Sequence, residues 1–285
     1  MRSMQISGDF SLYGIVGCPI KHTASPAMHN CLFNHDSIRA VYIPIELKKT
    51  QLKIFFETAK FLFSGLNVTV PYKKDVISYI DLLDKHALRM NSVNTVKREN
   101  DVLKGYNTDF IGLHKALKGN FSLSLKGKDV CILGAGGAAS SALYLALQEN
   151  ARNIVIVNRT LKKAVLLASS FKGTGDKIFT AKKDSRKASD YINGSQIIIN
   201  ATSLGLKKKD PMPLKKKDLT KKQYIFDMIY NPADTKLIAS AKEKGCKAAN
   251  GLDMLLYQGA ESYRIWTGKT PDISLMRKAV KKIIY

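Results

Sequence analysis

The chain has 285 residues, 45% of them apolar and 24% charged, a globular composition that excludes disorder and collagen-like repeats. Its 46 Lys and Arg against 23 Asp and Glu leave a formal charge of +23, yet only nine of the cations are Arg. Specific nucleic-acid readout favours the planar Arg fork over the hydrated Lys point charge, so a noncatalytic nucleic-acid-binding protein is the second reading here.

The densest lysine runs, Lys207–Lys209, Lys215–Lys217 and Lys221–Lys222, surround Pro211 and Pro213 and read as solvated surface. Four scattered cysteines, Cys18, Cys31, Cys131 and Cys246, show no C-x-x-C spacing, so neither a zinc site nor a disulfide framework is expected. Met1 to Phe10 carries Arg2 but no apolar segment of a secretory signal, which points to a cytoplasmic protein. No metal site and no membrane association is expected.

In chain order, Leu12–Val16 predicts a strand, Ser25–Phe33 a helix, Ala40–Pro44 a strand, Thr50–Phe63 a helix and Leu66–Val70 a strand. Alternation of this kind predicts an open α/β sheet. Near His114, ahead of the polar stretch Lys118–Lys128, we place a domain boundary, giving residues 1–114 as a first domain. A more regular βαβ series follows over residues 115–246, with strands at Val130–Leu133, Ile154–Val157, Ile197–Asn200 and Tyr224–Met228, and helices at Ala138–Gln148, Lys162–Ser170 and Thr235–Lys244. Residues 247–285 read as helices with no strand left to cross to, and are expected to return to the first domain. The uncharged run Val130–Gln148 is interrupted by Gly134, Gly136 and Gly137. It reads as strand, turn and helix, since a spanning helix needs about 20 continuous apolar residues.

Gly134-Ala135-Gly136-Gly137-Ala138-Ala139 follows that strand and fits G-x-G-x-x-(G/A). The first glycine permits a tight turn, the second lets a pyrophosphate approach the backbone, and the helix N-terminus offers N–H groups to the anion. The next strand ends Val157-Asn158-Arg159-Thr160, where an NAD site usually carries Asp or Glu for the ribose 2′-hydroxyl. With no carboxylate to repel a 2′-phosphate, Arg159 can clamp it while Asn158, Thr160 and Lys163 add donors, so the residues predict NADP. Taken alone, Arg159 is read equally well as the end of a surface strand.

Lys73 stands just past the apolar strand that Pro71 ends, where a lysine can be partly desolvated and so suited to proton transfer. Asn107-Thr108-Asp109 supplies a carboxylate that can orient a lysine and share its proton. Singly, each has a plain alternative: a solvated lysine after a turn, and a helix cap.

In combination these residues resemble the shikimate dehydrogenase family. The family pattern G-x-P-x-x-H-S-x-S-P-x-x-H-N is similar to Gly17–Asn30, N-V-T-x-P-x-K to Asn67–Lys73, V-N-T to Val93–Thr95, and N-T-D to Asn107–Asp109. N-R-T matches Asn158–Thr160, A-T-S-x-G matches Ala201–Gly205, D-M-I-Y-x-P matches Asp227–Pro232, and G-x-x-M-L-x-x-Q matches Gly251–Gln258. The resemblance implies an α/β substrate domain, a doubly wound Rossmann NADP domain and C-terminal helices returning to the first. It also implies reversible NADPH-dependent reduction of 3-dehydroshikimate to shikimate, a step toward chorismate and the aromatic amino acids, by a monomer or homodimer.

Carried over by motif, Lys73 is the general acid/base and Asp109 its partner. Thr23 and Ser25 bind the substrate carboxylate, and Thr69, Asn94, Asp109, Tyr230 and Gln258 hold the ring and its hydroxyls. The cofactor residues are Gly134, Ala135, Gly136, Gly137, Ala138, Asn158, Arg159, Thr160 and Lys163, with Thr202, Ser203, Met228 and Gly251 on the nicotinamide side. Three features depart from the family pattern. Thr23 replaces a serine and adds a methyl to the carboxylate pocket, which leaves a quinate/shikimate dehydrogenase of broader substrate or cofactor use as the same-class alternative. Asn91-Ser92 replaces Gly-Ala, and Asn tolerates a left-handed backbone. The lysine content has no functional account.

Overall fold

A parallel sheet covered by helices on both faces needs strands that are apolar at every position, and the runs Val130–Leu133 and Ile154–Val157 are buried throughout. The computed structural model describes residues 7–171 and 177–284; Arg2 and the rest of residues 1–6, on which part of the leader expectation rests, lie outside the described residues. The chain divides into two compact units, one comprising the residues up to Thr108 together with those from Gln258 onward, the other Asp109–Tyr257.

The first unit contains β1 (Ser11–Gly17), α1 (Ser25–His35), β2 (Ala40–Glu46), α2 (Leu52–Leu62), β3 (Phe63–Val68), β4 (Leu82–Leu83), α3 (Lys85–Met90), β5 (Thr95–Glu99) and β6 (Val102–Tyr106). Its sheet runs β2-β1-β3-β5-β6-β4. β1 pairs parallel with β2 and β3, whereas β5 pairs antiparallel with β3 and β6, so the sheet is mixed.

The expected helix Thr50–Phe63 ends one residue early, because Phe63 is already paired with Leu12 in the sheet and its side chain is buried. The expected strand Leu66–Val70 is correspondingly displaced, beginning at Phe63 and stopping at Val68. α3 closes on Asn91 in the left-handed conformation, at φ 47°, the backbone state Asn accommodates. On one face of the sheet Val16, Phe56, Phe63, Leu66 and Val68 belong to an apolar core. Elsewhere in the unit Tyr13, His29, Phe33 and Tyr42 form ring contacts with one another or with Trp266. Gly65 is glycine because a Cβ there would strike the Trp266 indole.

The second unit opens with α4 (Asp109–Phe121), a helix that runs unbroken through His114. It continues with β7 (Asp129–Leu133), α5 (Gly137–Gln148), β8 (Asn153–Asn158), α6 (Leu161–Ser169), β9 (Ile178–Lys182), α7 (Arg186–Gly194), β10 (Ile197–Asn200), β11 (Tyr224–Asp227), α8 (Lys236–Glu243) and β12 (Lys247–Asn250). All pairings are parallel, in the order β9-β8-β7-β10-β11-β12. That is the 3-2-1-4-5-6 order of a doubly wound dinucleotide fold, and it reverses between β7 and β10. Leu133 and Asn200, the last residues of those strands, are direct neighbours, and in such sheets ligands bind outside the carboxyl ends of the strands at the reversal.

α9 (Leu252–Thr267) starts in the second unit, and from Gln258 onward its residues belong to the first. α10 (Ile273–Ile284) packs on α1. Among the described residues no helix is long and apolar enough to cross a membrane.

Candidate active site

In the first unit the chain leaves β3 through a tight turn: the Thr69 N–H donates to the Val16 carbonyl at 2.9 Å, and the Tyr72 N–H to the Thr69 carbonyl at 3.0 Å. Half-buried Lys73 follows, its carbonyl accepting the Val93 N–H at 2.8 Å. Asn94 comes next after Val93, donating its N–H to Tyr106 at 3.0 Å and accepting the Val68 N–H at 2.9 Å. Lys73 and Asn94 therefore hang on one backbone frame made by three separate segments.

The Asn94 side chain is buried, and its Oδ1 accepts the Thr108 N–H at 2.8 Å while its Nδ2 donates to Gln258 Oε1 at 3.4 Å. Thr23 and Ser25 sit at the start of α1, with the Ser25 N–H on Thr23 Oγ1 at 3.3 Å. Asp109, buried, is the first residue of α4 in the second unit, directly after Thr108.

Beneath Asn94 lies a buried polar network that the sequence reading did not assign. The Tyr42 hydroxyl donates to Asn67 Oδ1 at 2.7 Å, and Asn67 Nδ2 reaches the Asn94 carbonyl at 3.0 Å and Ser262 Oγ at 3.1 Å. Ser262 Oγ lies 2.7 Å from Thr95 Oγ1 and donates to the Gln258 carbonyl at 3.0 Å. One signal for it was available: Ser262 lies four residues after Gln258, on the same helix face. Burial in low dielectric makes each of these bonds costly to leave unmade.

His29, 0% exposed, is stacked on Tyr42 with ring centroids 4.5 Å apart, and neither ring nitrogen has a hydrogen-bond partner. Burial holds its pKa down at about 3. Below the ordinary histidine value of about 6.5 the unfolded chain takes up a proton there that the fold refuses, so stability falls with acidification through that window and is fully regained above it. Relative to wild type, His29→Phe should gain about 2 kcal/mol between pH 7 and pH 5. Urea unfolding at both values checks this, and parallel pH profiles for the two proteins would refute it.

In the second unit Gly134, at φ 113°, turns the chain out of β7, and a Cβ on it would meet the Ala201 carbonyl at 3.0 Å. Only glycine adopts that conformation at no cost. Gly136 is the N-cap of α5, whose start no side chain caps, and a Cβ on it would meet nothing within 4 Å. The first turn of α5 thus begins without a side-chain cap, close after the end of β7, with Ala135, Gly137 and Ala138 half-buried. At the end of β8, Asn158 Nδ2 donates to the Thr160 carbonyl at 2.9 Å, and Arg159, Thr160 and Lys163 are exposed.

After β10 the Thr202 N–H and hydroxyl both donate to Asn200 Oδ1, at 3.1 and 2.7 Å, and Ser203 is exposed. After β11 the Met228 N–H donates to the Asn200 carbonyl at 3.0 Å, and half-buried Tyr230 follows two residues later. The Gly251 N–H bonds the Ile229 carbonyl at 3.0 Å, and a Cβ on Gly251 would collide with the Met228 carbonyl.

The lysine runs fall on exposed segments, where Lys216 pairs with Glu243 at 2.7 Å and Lys215 donates to the Asp184 carbonyl at 3.1 Å. Among the described residues no cluster of His, Cys, Asp and Glu suits a metal ion.

Three family models match successive stretches: a shikimate dehydrogenase substrate binding domain at residues 15–96, shikimate/quinate 5-dehydrogenase at 115–242, and a shikimate 5′-dehydrogenase C-terminal domain at 251–281. The chain is 41% identical over 274 residues to the shikimate dehydrogenase (NADP(+)) of Pyrococcus furiosus, covering 96% of each. A crystal structure of a shikimate dehydrogenase in complex with NADP+ is similar with a TM-score of 0.91 at 36% identity, over 99% of this chain and 98% of that one. The Thermus thermophilus enzyme in complex with NADP(H) and shikimate is similar with a TM-score of 0.87 at 29% identity, over 96% of this chain and 99% of that one.

Proposed function

We infer function from one premise: the chain belongs to the shikimate dehydrogenase family. It is an NADP-dependent oxidoreductase acting on a CH–OH group, and its reaction is the reversible reduction of 3-dehydroshikimate to shikimate. The hydrogen bond between Asn94 and Gln258, 164 residues apart in sequence, carries the reading, because it assembles polar groups for a hydroxylated ring on the same frame that holds Lys73.

Lys73 gives its proton to the C3 oxygen as the carbonyl is reduced and takes it back in the reverse direction, and the family motif assigns Asp109 as the group that shares this proton. Thr23 and Ser25 receive the substrate carboxylate, while Thr69, Asn94, Tyr230 and Gln258 orient the ring. When bound, NADPH supplies the hydride.

The second unit fits that cofactor. Uncapped N–H groups at the start of α5 suit a pyrophosphate, and Arg159 with Thr160 and Lys163 forms a donor set for a 2′-phosphate at the strand end where an NAD site carries an acid. Thr202 and Ser203 after β10, Met228 after β11 and Gly251 after β12 lie on the three loops assigned to the nicotinamide. Arg159→Ala is expected to lose about 1.5–3 kcal/mol of NADPH affinity, the worth of a charge-assisted bond, with little change for NADH. A titration in which the variant still prefers NADPH as strongly as wild type would refute that role.

The reading is tested by following NADPH absorbance with shikimate or quinate, each with NADP and with NAD. Turnover of shikimate with NADP is the expected result. Comparable turnover of quinate would trace to the Thr23 methyl and be reversed by Thr23→Ser. Absence of turnover with every pair would overturn the assignment. The same reading makes the protein a cytoplasmic enzyme on a small-molecule substrate, as a monomer or homodimer.

A further inference from the structure

Two of the loops assigned to the nicotinamide, those after β10 and β11, are tied to one carboxylate that none of the roles above uses. Asp227, the last residue of β11, is 0% exposed, and the side-chain and backbone groups that bond it are all uncharged. Its Oδ1 accepts from Asn200 Nδ2 at 2.9 Å and from the Ile229 N–H at 3.1 Å, and its Oδ2 accepts from the Thr235 hydroxyl at 2.6 Å.

The donors come from three places: the end of β10, the loop after β11, and the N-cap of α8, where Thr235 Oγ1 in turn accepts the Ile238 N–H at 3.2 Å. Asn200 extends the arrangement by binding the Thr202 N–H and hydroxyl through its Oδ1, and Thr202 Oγ1 then accepts the Leu204 N–H at 3.1 Å.

A buried carboxylate without a cation is costly unless it is fully hydrogen-bonded. An ionised Asp is acceptor-only, with two oxygens and about four lone-pair sites, so it satisfies three converging donors; Asn at the same place turns an N–H toward one of them.

We propose that Asp227 is a positioning residue for the reaction, one that fixes the Thr202–Ser203 loop and the Met228–Tyr230 loop against each other so that the nicotinamide is held in one orientation. The proposal rests on the reading of the second unit as the NADP-binding unit. Asp227 acts through the Asn200 and Thr235 side chains and the Ile229 N–H. The group assigned to the 2′-phosphate, at the end of β8, lies on the far side of β7 and β10 in the sheet.

The test compares wild type, Asp227→Asn and Thr235→Val, the last of which removes one donor and keeps the carboxylate. In Asp227→Asn, kcat for shikimate oxidation is expected to fall about 10–100-fold, the scale of a small misplacement of reacting groups. The fluorescence of bound NADPH, which reports how firmly the nicotinamide is held, is expected to move toward that of free cofactor. Affinity for adenosine 2′,5′-bisphosphate, which lacks the nicotinamide, should stay within about twofold, as expected for distant sites. Thr235→Val should show the same split with a smaller loss, and carries the test alone if Asp227→Asn does not fold.

Unchanged kcat and NADPH fluorescence in the folded variants would overturn the proposal. So would adenosine bisphosphate affinity that falls in step with kcat, since that marks general loosening of the unit. Wild-type protein that fails to bind adenosine 2′,5′-bisphosphate would defeat the cofactor reading and the proposal with it, a failure recognisable because it precedes any substitution.

Discussion

Lys73→Ala is expected to lower turnover of shikimate by about 10²–10⁴, the range spanned by a general acid/base in the transition state. In this direction the C3 hydroxyl must lose its proton as hydride leaves, and without the Lys73 amine that proton must go to water. The Lys73 backbone is held independently of its side chain, through the Val93 N–H on its carbonyl at 2.8 Å, so the truncation leaves the frame that carries Asn94 in place. NADPH affinity should be unaffected, because the assigned cofactor groups belong to the other unit. Steady-state kinetics with a parallel NADPH titration checks both parts, and near-normal turnover of the variant would remove Lys73 from the mechanism.

Trp266→Ala is expected to destabilise the first unit by about 3–5 kcal/mol, the usual cost of emptying an aromatic site in a core. The indole is 7% exposed, and its rings lie 5.1 Å from both Tyr13 and His29. Its Nε1–H donates to the Val96 carbonyl at 2.9 Å, an acceptor the alanine leaves unmet. The residue belongs to α9, so this packing joins the end of the chain to the sheet formed near its start. Urea unfolding measures the loss. A change below about 1 kcal/mol, ordinary for a surface substitution, would show that α9 contributes little to that core.

Local chemistry in the chain was enough to determine the doubly wound unit, the family and the cofactor. Unbroken apolar runs mark strands buried on both faces, a glycine turn between such a strand and a helix marks a phosphate-binding start, and a basic residue where NAD sites carry an acid marks NADP. These signals lie within a few residues of one another, so periodicity and motif spacing expose them. The left-handed turn at Asn91 was legible for the same reason, since a single residue's conformational preference decides it.

Tertiary structure alone decided the rest. Nothing in the run Phe63-Ser64-Gly65 separates the end of a helix from the start of a strand; pairing with β1 settles it. β5 alone enters the first sheet antiparallel, between β3 and β6, a placement that follows from which edges find partners. Asn94 meets Gln258 across 164 residues, and Asp227 gathers Asn200 and Thr235 from separate elements. A buried polar group gains its partner only once packing has excluded water around both, so its identity is fixed by the assembled fold and leaves no mark in the spacing of residues along the chain.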